Sequence, residues 1–130
     1  MEKYVRYILS KYTSYIAEKQ VYENWMAMHN NQEQLEKLSA AASKVIFVQS
    51  LLTLLNDDEK FVIENHLIQG LEWPRVAFAF AEVWKGEFTR TERTLVAYQA
   101  SGLAKLVNFC TIHQNLFFSI FEKQELEHLD

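Results

Sequence analysis

Leu55-Asn56-Asp57-Asp58-Glu59, Trp73-Pro74-Arg75-Val76-Ala77 and Thr89-Arg90-Thr91-Glu92 decide how this chain folds, because each reads as the start of a helix. Asn56 stands where an N-cap accepts a backbone N–H, and Glu59, three residues on, can reach back to the Asn56 amide. Gly70 closes that first helix, since glycine tolerates the left-handed backbone of a helix end. Pro74 falls in a first turn, where its missing N–H has no intrahelical partner to lose. The second helix therefore runs from about Trp73 to Lys85-Gly86. Thr89-Arg90-Thr91-Glu92 is a second capping box and launches the third helix. Two capped helices feeding a third is the order of a helix-turn-helix unit.

Outward from this unit, the third helix meets no proline or glycine beyond Leu106, and Val107, Phe109, Cys110, Ile112, Leu116, Phe117, Ile120 and Phe121 carry it on as an apolar run. On the other side, Val5, Ile8, Tyr12, Tyr15, Tyr22 and Met26 fall near a seven-residue spacing that Lys19 interrupts. This predicts one long amphipathic helix from Lys3 to about His29. Asn30-Asn31-Gln32 breaks it. A second helix from about Glu33 to Leu54 places Leu35, Leu38, Ala42, Val45, Val48 and Leu52 on one face, so the first 55 residues form a helical hairpin.

The composition supports an all-α fold in a single domain, 1–130: the hairpin over 1–55, the helix-turn-helix-like unit over 56–108 and a C-terminal helical extension over 109–130. With 49% hydrophobic residues the chain has a core to bury, while three glycines and one proline leave little for hairpin turns. The single Cys110 permits no internal disulfide and makes no zinc site alone; in its apolar setting a buried, inert thiol is expected. No apolar run approaches the roughly 20 residues that span a bilayer, and the chain reads as cytoplasmic.

The residues from Leu55 to Ala77, with Thr91-Glu92-Arg93-Thr94-Leu95 and Ser101-Gly102-Leu103-Ala104-Lys105-Leu106, resemble region four of bacterial sigma factors. They look more specifically like the sigma-like phage regulators of the ArpU type. The resemblance implies a DNA-binding transcriptional regulator of phage or prophage origin. Its partners would be double-stranded DNA and RNA polymerase or another protein. It further implies that Trp73, Val76 and Ala77 build the supporting helix, that Thr91 and Thr94 begin the recognition helix, and that Leu103 and Leu106 pack it on the core. Contacts to bases and phosphates then fall to Arg90, Arg93, Thr94 and Tyr98, with Lys85 on backbone phosphate. The chain departs from the family in two places. Phe78 to Trp84 lengthen the segment before the recognition helix, and Tyr98 and Ser101 stand where arginines are usual, which removes two phosphate contacts.

Charge divides the possibilities. The net charge of −4 opposes bulk electrostatic binding of nucleic acid, yet residues 89–108 carry Arg90, Arg93 and Lys105 against Glu92 alone. Arg90 and Arg93 also oppose the helix dipole, which is unusual for groups that merely solubilise. A homodimer is expected, because both apolar stripes exceed what one small domain buries and paired recognition helices offset a thin contact set. The competing class is a non-catalytic protein-interaction module, an anti-activator or adaptor that keeps a helix-turn-helix-like core. No metal or cofactor is expected: His29, His66, His113 and His128 are scattered without ligand spacing. Neither a nucleophile with its base nor a phosphate-cradling glycine loop is present, so no enzyme activity is expected.

Overall fold

The computed structural model describes residues 1–84 and 91–127, and among them helix is the only regular secondary structure. The helices are α1 (Glu2–Ser10), α2 (Tyr12–Met28), α3 (Gln32–Leu52), α4 (Asp57–Val62), α5 (Trp73–Val83), α6 (Glu92–Ile112), α7 (Gln114–Ile120) and α8 (Lys123–Leu126). None of those described is long and apolar enough to cross a membrane.

The single helix expected over 3–29 is instead two, meeting at Lys11 (φ −96°, ψ −1°). The two halves have different partners. Val5, Ile8 and Leu9 of α1 are wholly buried in the main core, and α1 packs on α6 and the turn after α4, whereas α2 packs on α3. One straight helix cannot serve both surfaces. The bend costs little, because the Lys11 amide still reaches Tyr7 O at 3.0 Å.

The α2–α3 hairpin is built on a heptad seam. Tyr12, Tyr15, Lys19, Tyr22 and Met26 are the residues of α2 withdrawn from solvent, and Gln34, Leu38, Ala41, Val45, Val48 and Leu52 answer them from α3, at alternating steps of three and four. Asn31 caps α3, its side chain accepting the Gln34 N–H at 2.9 Å. Between Ile16 and Ala40 no residue is fully buried, so the outer half of the hairpin stands off as an arm. At its base, Phe47 and Tyr15 pack on Phe121, and Lys44 reaches Glu125 at 3.2 Å.

α4 unwinds into a π-helical turn, Ile63–Ile68, that ends at Gly70. Gly70 has φ +73°, the left-handed conformation that favours glycine. The Leu71 amide reaches back to Asn65 O at 3.0 Å, a wider closure than an ordinary helix end makes. His66 Nδ1 lies 2.9 Å from Leu71 O while its ring stacks on Trp73 at 3.9 Å, which fixes the entry into α5.

The C-terminal run is also interrupted. α6 stops at Ile112, and His113 (φ −108°, ψ 39°) turns the chain into α7. This turn folds Phe117 and Phe121 back into the main core, both fully buried, beside Leu106 and Cys110. Of the apolar run expected to form a partner surface, Cys110, Phe117 and Phe121 are internal, because a chain that bends can wrap a core where a straight helix cannot, while Ile112 and Leu116 stay 66% and 49% exposed.

Candidate nucleic-acid interface

α4, α5 and α6 form a three-helix unit with a small core of its own, Val62, Val76, Phe80 and Leu95, separate from the main one. Aromatic rings seal its edge. Phe80 stacks on Trp84 at 4.1 Å, Phe61 meets both edge-on, and Tyr98 lies over Phe80 at 6.2 Å. Trp73 and Trp84 are half-buried parts of this packing.

The unit holds α6 by a polar lock as well. Glu59, 2% exposed, completes the capping box with Asn56 and also takes Ser101 Oγ at 2.6 Å and Lys105 Nζ at 2.7 Å. Burial pushes its carboxyl up, but the hydrogen bonds from Lys105, Ser101 and the Asn56 amide outweigh that and hold it below the usual carboxylate range. Lys105, counted in the sequence as part of a basic patch, is committed to this lock. Ser101, standing where an arginine was expected, is committed to it too.

Of the residues assigned to DNA contact, Lys85 and Arg90 lie outside the described residues, as does Thr89 of the expected second capping box. The cap of α6 is Thr91, whose Oγ accepts the Thr94 N–H at 3.3 Å and lies 3.1 Å from Thr94 Oγ. Thr91 is exposed and Thr94 half-buried, both engaged in starting the helix. Arg93 projects into solvent on the first turn. Tyr98 is half-buried against Phe80, so it and Arg93 do not share one open face.

The open face of α6 consists of Arg93, Val96, Ala97, Ala100 and Ala104, all exposed and spaced to lie on one side. Val96, Ala97 and Ala100 were not among the sequence candidates. Their signal was present: they fall off the buried stripe Leu95, Gln99, Gly102 and Leu106. Arg93 is the cation at its N-terminal end, while toward the other end Ala100 and Ala104 line a groove of about 450 Å³ with Leu103, Val107 and Thr111 of α6 and with Glu2 and Arg6 of α1, so α1 borders this face.

Comparison of the chain with protein-family models, with curated proteins and with solved structures finds no match.

Proposed function

We propose that this protein is a DNA-binding transcriptional regulator, resembling sigma region four and the ArpU-type phage regulators, with α5 as supporting helix and α6 as recognition helix. The observation that carries the reading is Arg93, exposed on the first turn of a 21-residue helix anchored in a three-helix unit with its own core. A recognition helix places its N-terminal turns in the major groove. There Arg93 offers a bidentate fork to guanine or phosphate, and Val96, Ala97 and Ala100 present the small apolar contacts that suit a thymine methyl. With few cations on α6, affinity rests on fit more than on phosphate neutralisation.

The test is a fluorescence-polarisation titration of the parent and of Arg93→Ala against duplex DNA from upstream of the gene, across a range of salt. The expected loss is about 1–3 kcal/mol with folding intact. A fall of about one in the salt slope assigns Arg93 to phosphate, and relaxed sequence preference assigns it to a base. A second reading, the protein-interaction module, is favoured by the Glu59–Lys105 pair, which cancels one of the cations on α6. Absence of salt-dependent binding by the parent would select it.

A further inference from the structure

The base of the α2–α3 arm is closed by α8, and it is closed through one carboxylate. Glu125 accepts the Tyr15 hydroxyl of α2 at 3.3 Å with one oxygen and the Lys44 ammonium of α3 at 3.2 Å with the other. Lys44 also stands over the Tyr15 ring, 5.3 Å from its centroid. All three groups are sheltered: Tyr15 is 4% exposed, and the side chains of Lys44 and Glu125 are 19% and 25% exposed. A pair in that setting is screened less than one on the open surface. It differs from Lys19–Glu23 and Lys37–Glu33 farther out on the arm, which link neighbouring turns of one helix and lie more exposed.

The rest of the α8 attachment is slight. Lys123–Leu126 is a single turn without a side-chain N-cap, and Phe121 and Glu122 before it are both extended, at ψ 112° and 138°. One turn has no helical stability of its own. Beyond the Glu125 bridge, α8 is held by the buried Leu126 and by Lys123 over the Phe118 ring at 5.6 Å. Even there the packing is open, since a groove of about 270 Å³ lies between Leu126, Lys123 and Glu127 on one side and Tyr4 and Phe118 on the other. α7, by contrast, is fixed by Phe117 and by Phe121 at its end, both fully buried. A firmly seated segment therefore ends at Phe121, and a lightly held turn follows it.

We infer that α8 is a releasable strap, hinged at Phe121 and Glu122, whose seating on Tyr15 and Lys44 steadies the arm against the body of the protein. When it lifts, α2 and α3 lose the carboxylate that ties them to the C-terminal segment, while Tyr15 and Phe47 keep their packing on Phe121. The arm base loosens without coming apart. The α4–α6 unit does not take part, because its core of Val62, Val76, Phe80 and Leu95 is separate. Lifting is thus a local opening with a free energy below that of global unfolding. The inference stands apart from the DNA-binding reading, since it concerns the protein alone.

Hydrogen exchange of the full chain, resolved by residue, tests it. In the parent, the Glu125 and Glu127 amides, bonded to Glu122 O and Lys123 O, are expected to exchange faster than the Phe121 amide, bonded to Phe117 O. Glu125→Gln keeps the shape of the side chain and an acceptor for Tyr15 but removes the ion pair, and Leu126→Ala removes the buried anchor. Each is expected to speed exchange at residues 12–19 and 41–48 by about tenfold and to leave α4–α6 unchanged. Lys44→Gln added to Glu125→Gln is expected to change little more, because both remove one contact. Lys37→Ala, which breaks an exposed pair on the same arm, is expected to leave residues 12–19 and 41–48 as in the parent. Equal protection of α7 and α8 in the parent, unchanged exchange at the arm base in Glu125→Gln and Leu126→Ala, acceleration spread equally into α4–α6, or the same acceleration in Lys37→Ala would each overturn the inference.

Discussion

Lys105 Nζ lies 2.7 Å from Glu59 Oε1, and this one contact ties the middle of α6 to the first turn of α4 across 46 residues of sequence. The two ends of the pair differ in burial: Glu59 is 2% exposed and the Lys105 side chain 45%. Removing the lysine therefore strands a carboxylate away from water, whereas removing the carboxylate leaves an ammonium that solvent can reach. Leaving a buried charge unpaired is the more costly event.

Lys105→Ala is accordingly expected to cost about 2–4 kcal/mol, at the lower side of the range for a broken buried pair because Ser101 and the Asn56 amide still bind Glu59. The pH dependence follows from the direction of the Glu59 shift. Its folded-state pKa is lowered, so its contribution is complete above the unfolded value near pH 4.3 and is lost as pH falls through the lower folded value. Without Lys105 the folded value rises and the acid-side loss begins at higher pH. Thermal melts of both proteins between pH 3 and 7 check this; parallel curves for parent and variant would contradict it.

Gly102 lets α6 approach α4 closely. A Cβ there would stand 2.7 Å from Ile63 Cδ1, 3.2 Å from Glu59 Cβ and 3.4 Å from Leu55 Cδ2. Gly102→Ala gains about 1 kcal/mol of helix propensity but overpacks this contact, at about 1–3 kcal/mol. A net loss of roughly 1 kcal/mol is expected from urea unfolding. Ile63→Val removes the Cδ1 atom that collides. In the Gly102→Ala background it should cost less than in the parent, and additivity of the two substitutions would refute the proposed clash.

The parts of the fold legible in the sequence are those that depend on neighbours in the chain. The Asn56–Glu59 capping box, the Gly70 stop and the start at Trp73-Pro74 each rest on residues within one turn, and the structure has all three. The bend at Lys11 was not legible, because it arises from α1 and α2 facing different helices far along the chain. The same is true of Phe117, which reads as one apolar residue in an exposed run until the turn at His113 brings it against Phe47 at 5.9 Å. On α6, spacing alone separates Leu95 from Val96, but only the packed partner reveals that Tyr98 lies against Phe80 and that Lys105 is taken by Glu59. Charge counted along a helix overstates what the helix can offer.

The arm formed by α2 and α3 is where the heptad seam is weakest. Lys19 and Gln34 occupy seam positions, and the buried Gln34 Oε1 has no hydrogen-bond partner among the described residues. A buried acceptor left unpaired costs about 1–3 kcal/mol, and the lysine contributes only its stem while its ammonium turns out to Glu23 at 3.3 Å. Gln34→Leu is expected to stabilise the chain by about 1 kcal/mol, through removal of the unpaired oxygen and extension of the apolar seam next to Leu38. The gain should be local. Hydrogen exchange is expected to slow for the amides of residues 20–40 and to change little in α6, since the outer arm touches nothing else that is buried. A uniform change across the protein, or faster exchange in the arm, would show that Gln34 serves the seam in a way its unpaired oxygen does not reveal.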